Sequence, residues 1–520
     1  MTTRARVGTW CLVAATVIAP SAACTGTGEP ETRLRLVASA ELDGIQPLLA
    51  DLRRDTGVDV LLDLRSGLDT APLPQAEGPY DAAWLTTGAY QQLRTQATGG
   101  SPSTATPTML SPVVIGMRPQ AAAALRKATA GVPLTWADVA DAAASGALTL
   151  AMTDPQRSGS GLAALVGVAT AAAGTGTALR AEDVTCDRLG GFFAGRRLTA
   201  PTFPALAEAF IARQAELDAI VGEESALLAL NDAGRLREPL ELVYPADGIV
   251  EADYPLLLLR PAARAAYETV TAWLKTPDVQ RRLSERTLRR PLDPGVPRDP
   301  RLRRPTGMAL YFPARLAVLD KLLADDAGPD LRARGQVFFV LDFSGSMRGR
   351  RISELRATFA GLSGADRTSS GKFFRFYRGE RFTVVRFGGH VLGEREFTVS
   401  GAGDLDRLGR FVAADDFDDR TAIWSALDHA YAAAAKTGQA RTSAVVLMTD
   451  GLSNAGISVE EFLRRRAAHP VRRAMPTYAI RYGEADAAQL DRVARTTGGR
   501  MVDAGSTSLL DAFKEIRGCH

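Results

Sequence analysis

The stretch Val337-Phe338-Phe339-Val340-Leu341-Asp342-Phe343-Ser344-Gly345-Ser346-Met347 decides how the C-terminal part of the chain folds. Its apolar run, rich in β-branched and aromatic residues, reads as a buried parallel strand that ends abruptly in a polar loop. An open α/β sheet places its ligand site at that end of its strands. Asp342, Ser344 and Ser346, turned by Gly345, gather one carboxylate and two hydroxyls in a short span. Hard oxygen donors of this kind suit a divalent cation such as Mg²⁺. Ser-Gly-Ser after a strand is also ordinary turn chemistry, so the surrounding pattern has to decide.

Downstream, helices alternate with strands. Helical periodicity covers 351–362, 421–435 and 458–468, and strands are expected at 382–387, 443–448 and 477–482. Leu490, Val493 and Ala494 give a further helix its apolar face, Gly498-Gly499 ends it, and Leu509, Phe513 and Ile516 mark the last one. Helices on both faces of a parallel sheet make a doubly wound α/β fold.

This region resembles the von Willebrand factor type A domain. Asp342-x-Ser344-Gly-Ser346 matches that family's first metal motif, Thr421 before Ala-Ile-x-x-Ala-Leu427 its metal-binding threonine, and Thr449-Asp450-Gly451 its second aspartate. Tyr478-Ala-Ile-Arg-Tyr-Gly483 and Thr497-Gly-Gly499 follow the pattern to its end. Arg420 stands where the family usually has a glycine, which puts the loop geometry in question rather than the ligands. The resemblance implies a Rossmann-like fold with a metal-ion-dependent adhesion site. Ser344, Ser346 and Thr421 would donate oxygens directly to Mg²⁺ (or Mn²⁺ or Ca²⁺), and Asp342 and Asp450 would act directly or through water. A partner protein's Asp or Glu carboxylate would then complete the ion's shell. The competing reading keeps the same residues as a hydrogen-bonded polar knot.

Towards the N-terminus, strands at 34–37, 58–64 and 80–85 alternate with a helix carrying Leu48, Leu49 and Leu52, a βαβ rhythm. Pro112-Val-Val-Ile-Gly-Met117 reads as a strand leaving that lobe, and Thr135-Trp136-Ala-Asp138 as a helix start. The order of these elements, the turn Asp154-Pro155…Ser158-Gly-Ser-Gly161 and the return Leu242-Val-Tyr244-Pro245…Asp253-Tyr254-Pro255 resemble bacterial extracellular solute-binding proteins of the two-lobed periplasmic type. The resemblance implies a cleft between lobes where helix N-termini meet a small solute or anion. Ser39, Ser66, Ser158 and Ser160 are the candidate cleft residues; as N-cap and turn serines they have an equally good structural reading.

The chain has 520 residues, enough for about three compact units. A net charge of +3 gives no warrant for nucleic-acid binding. Arg4 and Arg6 precede an apolar stretch from Trp10 to Ala19, far short of the ~20 residues of a membrane span. Ser21-Ala22-Ala23-Cys24 then resembles a bacterial lipoprotein signal, although Ser21 replaces the usual Leu. That implies lipidation of Cys24 and anchoring by lipid alone to the outer face of the cell membrane; secretion after cleavage at Ala23 is the alternative. With Cys11 removed and Cys24 lipidated, Cys186 and Cys519 remain as two free thiols or a disulfide. The expected organisation is a signal at 1–24, a tether at 25–32, a two-lobed module at 33–288, an Arg- and Pro-rich linker or exposed wrap at 289–306, and the metal-motif domain at 307–520.

None of His390, His429, His469 and His520 stands in a metal-ligand spacing, and no Gly-x-Ser-x-Gly elbow surrounds Ser160 or Ser344. The expectation is therefore a non-enzymatic envelope protein that binds a protein ligand through a divalent metal. The alternatives are an importer's solute receptor with the C-terminal domain as a docking module and, more remotely, a metal-assisted hydrolase.

Overall fold

The computed structural model describes residues 32–67, 73, 78–99, 104–175, 177–180, 183, 189–302, 307–326, 336–436 and 444–516. The signal, Cys11, Cys24, Cys186, Cys519 and His520 lie outside these residues. No helix among the described residues is long and apolar enough to cross a membrane.

Three sheets organise the chain. The first lobe is built on a five-stranded sheet ordered Val58–Arg65, Thr32–Ser39, Ala82–Trp84, Leu256–Leu258, Ala105–Thr106. Its first three strands are parallel, with Leu34 opposite Val60 and Leu36 opposite Ala82. The helix Gln46–Thr56 covers it, burying Leu48, Leu49 and Leu52, and ends at Gly57 with φ +73°, a left-handed position that favours glycine.

The second lobe holds a seven-stranded mixed sheet with Ser111–Met117, Ala219–Glu223, Leu150–Thr153 and Arg196–Ala200 in sequence across its middle. Thr135 caps the helix Trp136–Ser145 in a capping box with Asp138, as its sequence suggested. The helix Gly159–Ala173 is buried almost all round, because its Ala- and Val-rich surface meets sheet on one side and helices on the other.

Two expectations about boundaries change. Residues 289 and 290 are buried, whereas most of 293–301 is exposed as expected: Arg290 forms a two-pronged ion pair with Glu224, at 2.6 and 2.7 Å, with both side chains nearly inaccessible. Arginine enters the interior there because a carboxylate meets it. Residues 309–326, assigned by sequence to the C-terminal domain, pack on the second lobe. Ala309–Leu310 pairs with Ile249–Ala252, and Val318, Leu319 and Leu322 of the helix Leu316–Asp326 join that lobe's core.

The C-terminal sheet runs Val391–Thr398, Arg381–Phe387, Val337–Asp342, Ala444–Thr449, Thr477–Arg481, Met501–Asp503. All pairs are parallel except the edge strand Val391–Thr398. Alternation along the central strand feeds two cores: Phe339 and Leu341 face a cluster with Phe359, Phe382 and Phe513, while Phe338 and Val340 face Trp424, Leu427 and Phe462. The chain moves to one side of Val337–Asp342 for its next strand and later to the other side, so the order reverses between Val337–Asp342 and Ala444–Thr449. Open α/β sheets form their sites at that crevice.

Candidate functional site

The buried strand Val337–Asp342 delivers Asp342 to the sheet edge with no exposed surface. Its carboxylate accepts the Ser344 amide at 2.7 Å and the Thr449 hydroxyl, from the neighbouring strand, at 2.5 Å. Burial pushes its pKa up to about 6 against these hydrogen bonds, and the nearby Asp450 charge adds to the rise. The hydroxyls of Ser344 and Ser346 lie 3.0 Å apart, and Ser346 donates to Asp450 Oδ1 at 2.8 Å.

Thr421 arrives from the loop before the helix Ile423–Lys436. Its amide donates to Asn454 Oδ1 at 2.8 Å, and its carbonyl accepts the amides of Asn454 and Ala455. The Thr421 hydroxyl makes no hydrogen bond among the described residues. A Cβ on Gly451 would stand 3.6 Å from Ser346 Oγ and 3.7 Å from Thr421 Oγ1, so both hydroxyls lie beside this glycine. Arg420 keeps a negative φ, and its amide donates to Asp418 at 2.9 Å; the loop reaches Thr421 without the glycine that the motif usually carries.

Three hydroxyls and two carboxylates from three loops therefore gather at the crevice. No group of three or more His, Cys, Asp or Glu side chains suited to a metal occurs among the described residues. The set at the crevice is instead rich in hydroxyls, with two carboxylates to balance a divalent charge, which fits a hard, partly hydrated ion. Sequence reasoning missed Arg351, which pairs with Asp450 Oδ2. It lies one turn beyond the motif in a helix whose other arginines offer no hint of a different role.

Between the lobes lies a cavity of about 520 Å³, lined by Glu41, Ser160, Phe203, Glu223, Ser225 and Arg289 among others. Ser158 caps the helix Gly159–Ala173 and donates to Glu41 Oε1 across the lobes at 2.7 Å. Ser160 lies 2.9 Å from the Ser158 hydroxyl and 3.3 Å from that of Thr153. Ser66 is 3.4 Å from Arg157 of the other lobe, and the next amide, Gly67, donates to the Arg157 carbonyl at 2.6 Å. Ser39, in contrast, accepts the Thr86 amide of its own lobe at 3.2 Å.

Glu41 and Arg289 were absent from the candidate residues. Arg289 is buried, donates to the Glu41 carbonyl at 2.7 Å and stacks over Tyr254 at 4.9 Å. Burial drives its pKa down against the pull of Glu223 and Glu41. Tyr254 and Leu288, both in segments that cross between lobes, have φ of +43° and +56°. Non-glycine residues are held in that region only by surrounding structure.

Residues 34–286 match the family model described as bacterial extracellular solute-binding protein, and residues 336–515 that of the von Willebrand factor type A domain. No curated protein matches the chain. Similar solved structures include a periplasmic thiamin-binding protein (11% identity, 57% of this chain and 96% of the other, TM-score 0.44). A ferric-binding protein from Campylobacter jejuni (12%, 57% and 97%, 0.42) and a Trichodesmium protein in complex with iron and citrate (17%, 57% and 98%, 0.39) are also similar. The chain thus joins a two-lobed bacterial extracellular solute-binding module to a von Willebrand factor type A domain.

Proposed function

We propose that the protein works outside the cell, held at the envelope by lipid on Cys24, and binds a protein ligand through a divalent ion carried by Asp342, Ser344, Ser346, Thr421 and Asp450. The observation that carries this reading is the convergence of these oxygens: a Cβ on Gly451 would stand 3.6 Å from Ser346 Oγ and 3.7 Å from Thr421 Oγ1, and the Thr421 hydroxyl makes no hydrogen bond among the described residues. A bound Mg²⁺, Mn²⁺ or Ca²⁺ would supply an open position for an Asp or Glu carboxylate of the partner. The chain's own part is to fix the five oxygens: Thr449 and the Ser344 amide orient Asp342, and Ser346 orients Asp450. The reading is of a binding protein rather than an enzyme, since none of the four histidines stands in a metal-ligand spacing and no Gly-x-Ser-x-Gly elbow surrounds Ser160 or Ser344.

Thermal unfolding of the chain from Thr25 onward, with Mg²⁺ or Mn²⁺ against chelator, tests it. An ion at a hundredfold excess over its dissociation constant adds about 2.7 kcal/mol to native stability. The C-terminal transition is expected to move in the parent and not in Asp342→Ala. No shift in either would leave the five residues as structure.

The cavity between the lobes supports a second reading, a receptor that delivers a small solute to an importer. That reading expects solute binding to survive Asp342→Ala, whereas the first expects cleft substitutions to leave metal-dependent partner binding intact.

A further inference from the structure

Arg351 stands beside the five oxygen donors without being one of them. It leaves the first turn of the helix Arg350–Ala360, and its guanidinium pairs with Oδ2 of Asp450, whose Oδ1 takes the Ser346 hydroxyl. Asp450 has no exposed surface, while 32% of the Arg351 side chain is exposed. One end of the pair is therefore dry and the other faces solvent.

A second element is shaped around the same group. A Cβ at Gly483, which follows the strand Thr477–Arg481, would lie 2.9 Å from the Cζ of Arg351, and Gly483 has φ +61°. The loop thus passes against the guanidinium where a side chain would strike it. Its neighbours are engaged elsewhere: Arg350 pairs with Glu354 at 2.6 Å, and Arg348 lies over the Phe417 ring at 5.1 Å. Arg351 is the arginine of this segment that turns towards the donors.

We propose that Arg351 is a built-in competitor for the divalent ion, and this rests on reading the five residues as a metal site. The guanidinium neutralises Asp450 when the ion is absent. An arriving ion has to share that carboxylate with a fixed positive charge in a poorly solvated pocket, where like charges repel more strongly than in water. Arg351 thereby keeps the ion weakly held, and ion binding loosens its grip on Asp450 and frees it towards the mouth of the site.

The test is calorimetric titration of the full chain with MnCl₂, comparing the parent with Arg351→Gln, Arg351→Met and Arg351→Lys, and with Asp342→Ala to locate the ion. Arg351→Met keeps the apolar stem packed should Arg351→Gln fold poorly. The neutral variants are expected to bind Mn²⁺ at least about tenfold more tightly than the parent, since the repulsion they remove corresponds to more than a kilocalorie in a pocket of reduced dielectric. Arg351→Lys is expected within about threefold of the parent, because the charge is retained. A silent parent with binding neutral variants also supports the proposal. Neutral variants that bind no more tightly than a binding parent would overturn it and leave the metal site standing. Silence in every variant would overturn the metal reading and this inference together.

Discussion

The hydroxyl of Ser158 donates to a carboxylate oxygen of Glu41 at 2.7 Å, and the bond joins the two lobes at the N-terminus of the helix Gly159–Ala173. A helix N-terminus favours a negative charge, and here the chain's own carboxylate lies one hydrogen bond from the cap. Another tie across the cleft is the amide of Gly67 to the Arg157 carbonyl. Glu41→Ala removes the first tie and keeps the other. Amide exchange over 159–163 is expected to rise by severalfold and the radius of gyration in solution scattering to grow. Unchanged exchange would mean that the remaining contacts between the lobes, among them Gly67 to Arg157 and Tyr254 to Glu223, hold them together without it.

Burial raises Asp342 to about 6 from an ordinary 3.8. Between those values the native state holds a proton that the unfolded chain has lost, so this group's contribution to stability falls as pH rises through that window and levels off above it. Asp342→Asn has no such titration. In chelator, the stability of Asp342→Asn minus that of the parent is expected to grow between pH 4 and pH 7, by on the order of 2 kcal/mol. Urea unfolding at several pH values checks this. A flat difference would mean that Asp342 is ionised throughout the range.

The buried pair Arg290–Glu224 makes a sharper demand. Removing one partner strands a charge in the interior, which typically costs about 3–5 kcal/mol. Arg290→Met should lose that much in denaturant unfolding of the solute-binding module, because Glu224 keeps only the Tyr244 hydroxyl of the partners described for it. The double variant Arg290→Met with Glu224→Leu is expected to recover a large part of the loss. A loss below about 1 kcal/mol in the single variant would mean that water reaches Glu224.

The sequence spoke clearly where period and cap chemistry agree. The run from Val337 to Asp342 could hardly be anything but a central strand, and Thr135 with Asp138 wrote a capping box into the chain. The edge strand Val391–Thr398 escaped notice because Glu394, Arg395 and Glu396 face solvent and blur the alternation. Arg289 and Arg290 read as part of the linker at 289–306 because composition records how many arginines there are and not whether an acceptor waits for them. Of the candidate site, Asp342, Ser344, Ser346, Thr421 and Asp450 were legible from motif order. Arg351 and Glu41 were not, since each acquires its role only when a distant carboxylate or hydroxyl is brought to it by the fold.

The same holds for the way the metal-motif domain meets the second lobe. The short helix Ser369–Phe374 buries Phe373 and Phe374 in the second lobe's core. Lys372 pairs with Asp138 at 2.5 Å, Arg375 with Asp141 at 2.6 Å, and the Arg378 amide donates to the Ala144 carbonyl at 2.7 Å. This helix follows, after the bend at Gly364 with φ +107°, the helix Arg350–Ala360 that carries Arg351. A contact of two aromatic side chains ringed by ion pairs should make the lobe and the domain unfold together, and emptying one aromatic site costs about 3–5 kcal/mol. Phe374→Ala is therefore expected to split a shared calorimetric transition into two, with the metal-dependent shift confined to the transition that belongs to the C-terminal domain. If the transitions stay fused at an unchanged midpoint, the ion pairs of Lys372 and Arg375 and the Arg378 to Ala144 hydrogen bond couple the two without the aromatic contact.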